Sequence, residues 1–238
     1  MKIERLDKLL ASTGRWSRRE IKQLVKSGRV MADGLPAAGP EQKLDPESVR
    51  LEVDGEAISL QKYTYIMLNK PPGVLSATED PHQQTVLDLL PPELRRRGLF
   101  PVGRLDKDSD GLLLLTNDGE LAHRLLSPKN HVDKVYFIQV DPPLTGADAD
   151  AFAAGIVLAD GTVCRPAKLE ISAAGAEALV TLHEGKYHQI KRMAASRGTA
   201  VRRLKRIAMG TLVLDETLEM GDFRLLTREE VLKIGGKP

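Results

Sequence analysis

The sequence predicts an α+β protein with a small amino-terminal part and a larger second part. The first part combines two short helical patterns with hairpin signals, and the second mixes strand-like runs with further helices. The strongest strand signal is residues 112–115, four consecutive leucines without polar alternation, which is typical of a strand buried on both faces. We place the boundary after residue 58, giving domains of residues 1–58 and 59–238.

Helix spacing and capping signals describe the first domain. The leucines of residues 6–10 predict one short helix, and a second helix begins at Ser17, which can form a capping box with Glu20. Asp-Gly pairs at residues 33–34 and 54–55 are hairpin signals, and the second pair lies between two strand-like runs. We therefore expect a helix–helix–strand module.

The charge of the chain is concentrated at its start. The net charge is only +2, but residues 1–30 hold nine Lys and Arg against three Asp and Glu. Such a face is often only a solvated surface. Here, however, cations lie close to a helix start, where the backbone N–H groups and the helix dipole also favour phosphate. The stretch RLDKLLASTGRWSRREIKQLVKSGRVMADG resembles the small RNA-binding module shared by a ribosomal small-subunit protein and tyrosyl-tRNA synthetases, which implies a grip on RNA backbone. The candidate contacts are Arg5, Lys8, Arg18, Arg19, Lys22, Lys26 and Arg29.

Acidic residues precede the leucine strand in PVGRLDKDSDGLLLLTNDG, residues 101–119. One interpretation is a solvated turn, since Asp, Ser and Gly favour turns. A calcium loop is excluded because Asn117 stands where the bidentate Glu is required. The third interpretation makes one carboxylate a nucleophile or base, and it requires a cation from elsewhere in the chain.

The stretch LHEGKYHQIKRMAASRG offers that cation. His183 and His188 are five residues apart rather than four, so the stretch is not expected to bind zinc on one helix face. Residues 183–206 hold eight Lys and Arg against one Glu. On a helix starting near Tyr187, Lys191 lies at the edge of the apolar stripe, so Lys191 or Arg192 is a candidate partner.

Other features narrow the class of protein. A single cysteine, Cys164, rules out an internal disulfide and suits a reducing cytoplasm. No apolar run reaches the ~20 residues of a membrane span, so no membrane association is expected. Aromatic residues are only 4% of the chain, so Tyr136, on a predicted strand, is a candidate for stacking on a base as well as for core packing. Residues 163–171 and 178–183 are also predicted to be strands.

The order of several motifs resembles the RsuA family of pseudouridine synthases. These motifs are NKPPG (69–73), GRLDKDSDGLLLLTNDG (103–119), Lys134 to Tyr136, EGKYHQIKRM (184–193) and LKRIAMGTL (204–212). The resemblance implies a mixed, mostly antiparallel sheet with surrounding helices and a basic RNA cleft. It makes Asp106 the catalytic aspartate, with Arg104 displacing the target nucleotide, Tyr136 stacking on the base and Lys191 pairing with Asp106. Implied substrate contacts are Lys70, Gly73, Leu105, Lys134, His188 and Arg192.

The implied reaction converts a uridine of ribosomal RNA into pseudouridine, most closely as in the small-subunit branch of the family. It is an isomerisation, so no metal or cofactor is expected, and the enzyme is expected to be a cytoplasmic monomer. Asp106 either attacks C1′ of the ribose or removes a proton from C2′, and the sequence leaves both routes open. The alternatives are a large-subunit synthase of the same family, a non-catalytic ribosomal RNA-binding assembly factor, and a glycosidase-like hydrolase that uses Asp106 with Asp110.

Overall fold

The chain divides into two compact units. The computed structural model describes residues 3–60, 62–130 and 132–237. One unit extends to Thr64 and also includes Leu90–Leu99, and the other contains Tyr65–Leu89 and the chain from Phe100 onward. Residues 90–99 lie within the predicted second domain, residues 59–238, but belong to the first compact unit, so the domain boundary at residue 58 stays a prediction.

The first unit packs short helices against a small antiparallel sheet. Its sheet is formed, in spatial order, by the strands Leu35–Pro36, Val30–Ala32, Leu51–Val53 and Glu56–Ile58, and the strand Glu4–Arg5 pairs separately with Lys43–Leu44. The Ser17–Glu20 capping box is present, because the Ser17 hydroxyl accepts from the Glu20 N–H and the Glu20 carboxylate accepts from the Ser17 N–H. The elements are β1 (Glu4–Arg5), α1 (Leu6–Ser12), α2 (Arg18–Lys26), β2 (Val30–Ala32), β3 (Leu35–Pro36), β4 (Lys43–Leu44), β5 (Leu51–Val53), β6 (Glu56–Ile58) and α3 (Pro92–Arg95).

One large sheet organises the second unit. The helices of this unit are α4 (Gly119–Leu126), α5 (Gly146–Ala154), α6 (Gln189–Ser196) and α7 (Arg228–Lys233), with short 3-10 turns at Val86–Leu89 and Pro128–Asn130. The strands are β7 (Tyr65–Lys70), β8 (Phe100–Pro101), β9 (Asp110–Thr116), β10 (Lys134–Asp141), β11 (Lys168–Ile171), β12 (Glu177–Leu182), β13 (Ala200–Met209), β14 (Leu212–Val213) and β15 (Phe223–Leu225).

The sheet confirms the predicted mixed and mostly antiparallel architecture. Its main strand order is β11-β12-β10-β13-β9-β7-β15, with β14 added to β13 and β8 added to β9. Among the described strands, β13 and β9 form the parallel pair and the other pairs are antiparallel. Every residue of β9 is buried, as the unbroken leucine run predicted.

The strand predicted over residues 163–171 is shorter than expected. Only Lys168–Ile171 joins the large sheet as β11, whereas Val163 forms an isolated bridge with Val157. Pro166 lies between these two segments and has no backbone N–H, so it cannot continue the ladder. None of the helices formed by the described residues has the length and apolarity needed to cross a bilayer.

Candidate active site

The loop that carries Asp106 connects β8 to β9, and a buried lysine holds it from its inner side. Lys70, at the end of β7, is fully buried. Its ammonium donates to the backbone carbonyl oxygens of Asp106 (3.1 Å), Lys107 (3.3 Å) and Ser109 (2.9 Å). Burial lowers the pKa of Lys70 to about 8, although the loop carboxylates act in the opposite direction. The backbone on the carboxyl side of Asp106 is therefore fixed by charge-assisted hydrogen bonds.

The backbone before Asp106 is fixed by a serine. The Ser76 hydroxyl donates to the Leu105 carbonyl oxygen (2.9 Å) and accepts from the Leu105 N–H (3.0 Å), while the Leu105 side chain packs in the core. Further along, Gly111 has φ +103°, and a Cβ on it would lie 2.3 Å from the backbone oxygen of Arg206. Only glycine allows β9 to approach β13 this closely, so the loop enters the sheet along a fixed path.

Asp106 lies between a lysine and a histidine. Its side chain is 27% exposed, its Oδ2 is 3.5 Å from Lys191 Nζ, and its Oδ1 is 3.6 Å from His188 Nε2. Both partners come from the start of α6, where His188 adopts a left-handed conformation with φ 47°. A non-glycine residue in this region is strained, and such strain is concentrated at functional sites.

Packing of α6 sets the direction of Lys191. Ile190, Met193 and Ala194 are buried, which confirms the apolar stripe predicted from the sequence and leaves Lys191 at its edge. The Lys191 ammonium also contacts Asp108, at 2.5 Å from Oδ1, and this hydrogen bond lowers the pKa of Asp108. One lysine thus connects two of the loop acids, and the Asp108 contact is the shorter one.

A cavity of about 740 Å³ lies beside this loop in the second unit. Leu105 and Asp106 line it on the loop side, and Lys134 and Tyr136 line it from β10. The last two residues are two apart on one strand, so they share a face of the sheet. Leu204 and Arg206 line the same cavity from β13, where Arg206 pairs in register with Tyr136. The floor of the cavity is therefore one sheet face that combines apolar, aromatic and cationic side chains.

The rim of the cavity carries exposed groups. Arg104 is exposed and lines the cavity next to Asp106, and it has no ion pair within the described part of the chain. Tyr187 is 72% exposed and stacks on His188, with ring centroids 3.9 Å apart. An exposed arginine and an exposed aromatic ring at a cavity mouth suit contacts with nucleotides.

Three residues predicted to contact substrate lie elsewhere. Lys70 is buried against the loop backbone, and Arg192 forms an ion pair with Asp160 at 2.5 Å. Gly73 is exposed at φ +88°, and its N–H donates to the Lys107 carbonyl oxygen. Of these, none is among the described residues that line the cavity. Lys70 and Gly73 instead contact the backbone of the Asp106 loop, and Arg192 of α6 contacts Asp160.

Two residues near the site were missed by the sequence analysis. Ser76 is a single hydroxyl in a loop, and no pattern distinguishes it. Arg206 is 1% exposed and lines the cavity. Its signal was available, because Arg206 is two residues from Leu204 on a strand and shares its face, but the many neighbouring cations hid it.

The first unit carries a basic face on α2. Its four exposed cations have no ion-pair partner among the residues described, and we refer to them as the α2 basic face: Arg18, Arg19, Lys22 and Lys26. The other three predicted contacts are neutralised by carboxylates, in the pairs Arg5–Asp7, Lys8–Glu4 and Arg29–Asp54. The predicted set therefore separates into four available cations and three paired ones.

A carboxylate beside two basic side chains, at a cavity with a cationic floor, indicates an enzyme that acts on an anionic polymer. The exposed α2 basic face favours a nucleic acid as that polymer, because Lys and Arg side chains bind its phosphates. Fold and site thus define a nucleic acid-modifying enzyme.

Comparison with known proteins gives the family. Residues 64–196 match the RNA pseudouridylate synthase family, and residues 4–49 match the S4 domain. The chain belongs to the RNA pseudouridylate synthase family and is an RNA pseudouridine synthase, as its resemblance to the RsuA family implied.

Individual relatives cover nearly the whole chain. An uncharacterised RNA pseudouridine synthase of Bacillus subtilis is 49% identical, over 95% of this chain and 96% of that protein. The ribosomal small subunit pseudouridine synthase A of Vibrio cholerae is 43% identical, over 97% of this chain and 99% of that protein. A crystal structure of a pseudouridylate synthase shares the fold with a TM-score of 0.69 at 34% identity, covering 97% and 99% of the two chains.

Proposed function

We propose that this enzyme converts one uridine of small-subunit ribosomal RNA into pseudouridine, with Asp106 as the group that acts on the ribose. The observation that carries the proposal is the placement of Asp106, a carboxylate at a cavity, 3.5 Å from Lys191 and 3.6 Å from His188, on a doubly fixed loop. The small-subunit substrate is supported by the 43% identical Vibrio cholerae relative, whose name specifies that subunit.

The reaction needs a carboxylate that stays in place while a base leaves and returns. Asp106 either attacks C1′ or removes a proton from C2′, and both routes require its ionised form. A cation within ~4 to 6 Å favours that form, and Lys191 meets this distance. Fixing the backbone on both sides of Asp106 limits its motion during the reaction.

The target uridine has to leave its RNA stack before Asp106 can reach the ribose. Flipping costs a few kcal/mol, and an inserted side chain can offset part of it. Arg104 is exposed beside Asp106 and suits this position. Tyr136 lies on the cavity floor, where it can stack on the uracil ring.

The α2 basic face contacts RNA phosphates, and Lys134 and His188 contact the substrate within the cavity. The enzyme acts as a monomer in the cytoplasm. Light scattering on the purified chain tests the oligomeric state, because a dimer would have twice the molar mass of the monomer.

Replacing Asp106 with asparagine tests the role of the carboxylate. The shape of the side chain is kept and its negative charge is lost, so we expect tritium release from 5-tritiated small-subunit ribosomal RNA to fall to background. Asp108→Asn is the matched control, since Asp108 is 73% exposed and contacts the same lysine. It should retain measurable release.

Full pseudouridine formation by Asp106→Asn would show that the catalytic group lies elsewhere. Release from large-subunit RNA alone would overturn the small-subunit substrate while keeping the chemistry. Free uracil in the assay would identify a hydrolase instead.

A further inference from the structure

Two cations are buried on the cavity floor without a counterion. Arg206 is 1% exposed and Lys134 is 9% exposed, and both line the cavity from neighbouring strands. Neither side chain forms an ion pair with any carboxylate of the described residues. Other arginines of β13 do have partners, since Arg202 pairs with Asp141 and Arg203 with Asp110. Arg206 therefore differs from these two arginines, because it is buried and has no ion pair within the described part of the chain.

The hydrogen bonds of these cations are also incomplete. Arg206 Nε donates to the Leu112 carbonyl oxygen at 2.7 Å, but its Nη2 is buried without a partner among the described atoms. Lys134 Nζ donates to the Val132 carbonyl oxygen at 3.1 Å. Burial and the nearby charge of Arg206 lower the pKa of Lys134. Buried charges without partners are costly, so a bound group that supplies negative charge here would be strongly favoured.

We propose that Arg206, assisted by Lys134, binds the detached uracil as an anion during the reaction, by donating to its carbonyl oxygens. This inference rests on the proposed function. The position fits the ring better than a backbone phosphate, because Arg206 lies opposite Tyr136 in the sheet while exposed cations such as Arg104 occupy the rim.

The charge balance of the reaction creates this anion. When the C1′–N1 bond breaks, its electron pair stays on the uracil and delocalises onto the two carbonyl oxygens. C1′ is then either bonded to the Asp106 carboxylate or, after loss of the C2′ proton to Asp106, part of a C1′–C2′ double bond. The turned ring forms the C1′–C5 bond with an electron pair of the anion. In the first route the ester bond to Asp106 breaks as the C1′–C5 bond forms, and in the second C2′ regains its proton. In both routes C5 then loses its proton and N1 gains one, so the product is an isomer of the substrate.

A leaving-group comparison tests the proposal. We would measure single-turnover loss of the target nucleoside in RNA that carries either uridine or 5-fluorouridine, using wild type, Arg206→Gln and the control Arg202→Gln. Fluorine makes the departing base more acidic, so it needs less stabilisation. We expect Arg206→Gln to lower the single-turnover rate with uridine by about 10²-fold, which is the effect of losing one hydrogen-bond donor to a developing anion. The rate with 5-fluorouridine should fall by less than about tenfold. Arg202→Gln should match wild type, and equal losses on both substrates would overturn the proposal.

A binding measurement gives a readout that does not depend on turnover. 5-Nitrouracil is an anion at neutral pH, and ultraviolet titration follows its binding. We expect wild type to prefer it over neutral uracil and Arg206→Gln to lose that preference. Displacement by inorganic phosphate in wild type, but not in Arg206→Gln, would assign the site to a phosphate and overturn the proposal.

Folding and function are separated by two further observations. Thermal unfolding followed by circular dichroism shows whether Arg206→Gln is folded. If it is not, Lys134→Gln replaces it in the leaving-group comparison. We expect Lys134→Gln to slow the reaction of uridine more than that of 5-fluorouridine, and equal effects on the two would refute the proposal. If wild type does not isomerise RNA at all, the proposed function fails, whereas wild-type turnover with an unchanged anion preference in Arg206→Gln refutes only this inference.

Discussion

Lys70 is a buried cation against the inner side of the Asp106 loop, and methionine in its place removes the charge while keeping an unbranched side chain. The loop carbonyl oxygens of Asp106, Lys107 and Ser109 then lose the ammonium as a donor. We expect Lys70→Met to lower the single-turnover rate by about 10²-fold, the cost of misplacing a reacting group by about 1 Å. RNA affinity should change little, because the contacts of Lys70 are with the loop backbone.

The pKa of Lys70 adds a prediction about stability. The value is 10.5 in the unfolded chain and about 8 in the folded one. Between these two pH values the unfolded chain binds the extra proton, so the free energy of unfolding of wild type rises with pH. The contribution of Lys70 is fully present above pH 10.5 and is lost as pH falls to about 8. At about 1.36 kcal/mol per pH unit, the difference between wild type and Lys70→Met should change by about 3 kcal/mol across this window.

Urea unfolding of the full chain at pH 7 and pH 10 measures this change. Circular dichroism is the suitable signal, because Trp16 is the only tryptophan in the sequence and lies in the first unit. Lys168→Met is the control, since the Lys168 side chain is 67% exposed and belongs to the second unit, as Lys70 does. The free energy of unfolding of Lys168→Met should change with pH in parallel with that of wild type. A difference between wild type and Lys70→Met that stays constant with pH would refute the description of Lys70 as a buried cation held at a desolvation cost.

Two further predictions concern RNA binding and the sheet. The first variant replaces three cations of the α2 basic face with glutamine: Arg18, Arg19 and Lys22. Because each phosphate contact releases counterions, RNA affinity should fall, and the slope of log affinity against log salt concentration should decrease in magnitude by about 2 to 3. Arg29→Gln is the control and should have a smaller effect, because Arg29 is already paired with Asp54. An unchanged slope in the triple variant would exclude the α2 basic face as an RNA contact. The second is Gly111→Ala, which places a Cβ 2.3 Å from a backbone oxygen at φ +103° and should lower the melting temperature well below that of Gly34→Ala, where φ is also positive but the space is open. Equal melting temperatures would contradict the close approach of β9 and β13.

Local elements could be predicted because their causes are local. The capping box at Ser17 and the fully buried β9 follow from neighbouring residues, and both are present. The edge position of Lys191 follows from the period of α6. What spacing alone could not supply was a contact across 83 residues, such as the one between Lys191 and Asp108. Pairings at that separation depend on how the sheet brings α6 to the loop, which sequence periodicity does not encode.

Burial of charged side chains is the second limit of the sequence. Lysine is usually exposed, and the family resemblance implies Lys70 as a substrate contact, yet Lys70 is fully buried. Its burial is possible because the loop turns several carbonyl oxygens toward one point, and no pattern of residue types reveals that geometry. Arg206 differs from the other cations of β13 by its burial, which its shared strand face with Leu204 indicates and its charge does not.

The three acids of the loop differ in what they can do, although they alternate evenly in the sequence. Asp110 has a 4% exposed side chain and is held by Arg203 at 2.9 Å, so it faces neither the cavity nor solvent. Asp108 is 73% exposed and bonded to Lys191. Only Asp106 combines partial exposure with a place in the cavity lining and two basic neighbours. A hydrolase that used Asp106 with Asp110 would need both carboxylates at the scissile bond, whereas Asp110 is buried and is not among the described residues that line the cavity. The geometry therefore favours a mechanism with a single carboxylate, which agrees with the role proposed for Asp106.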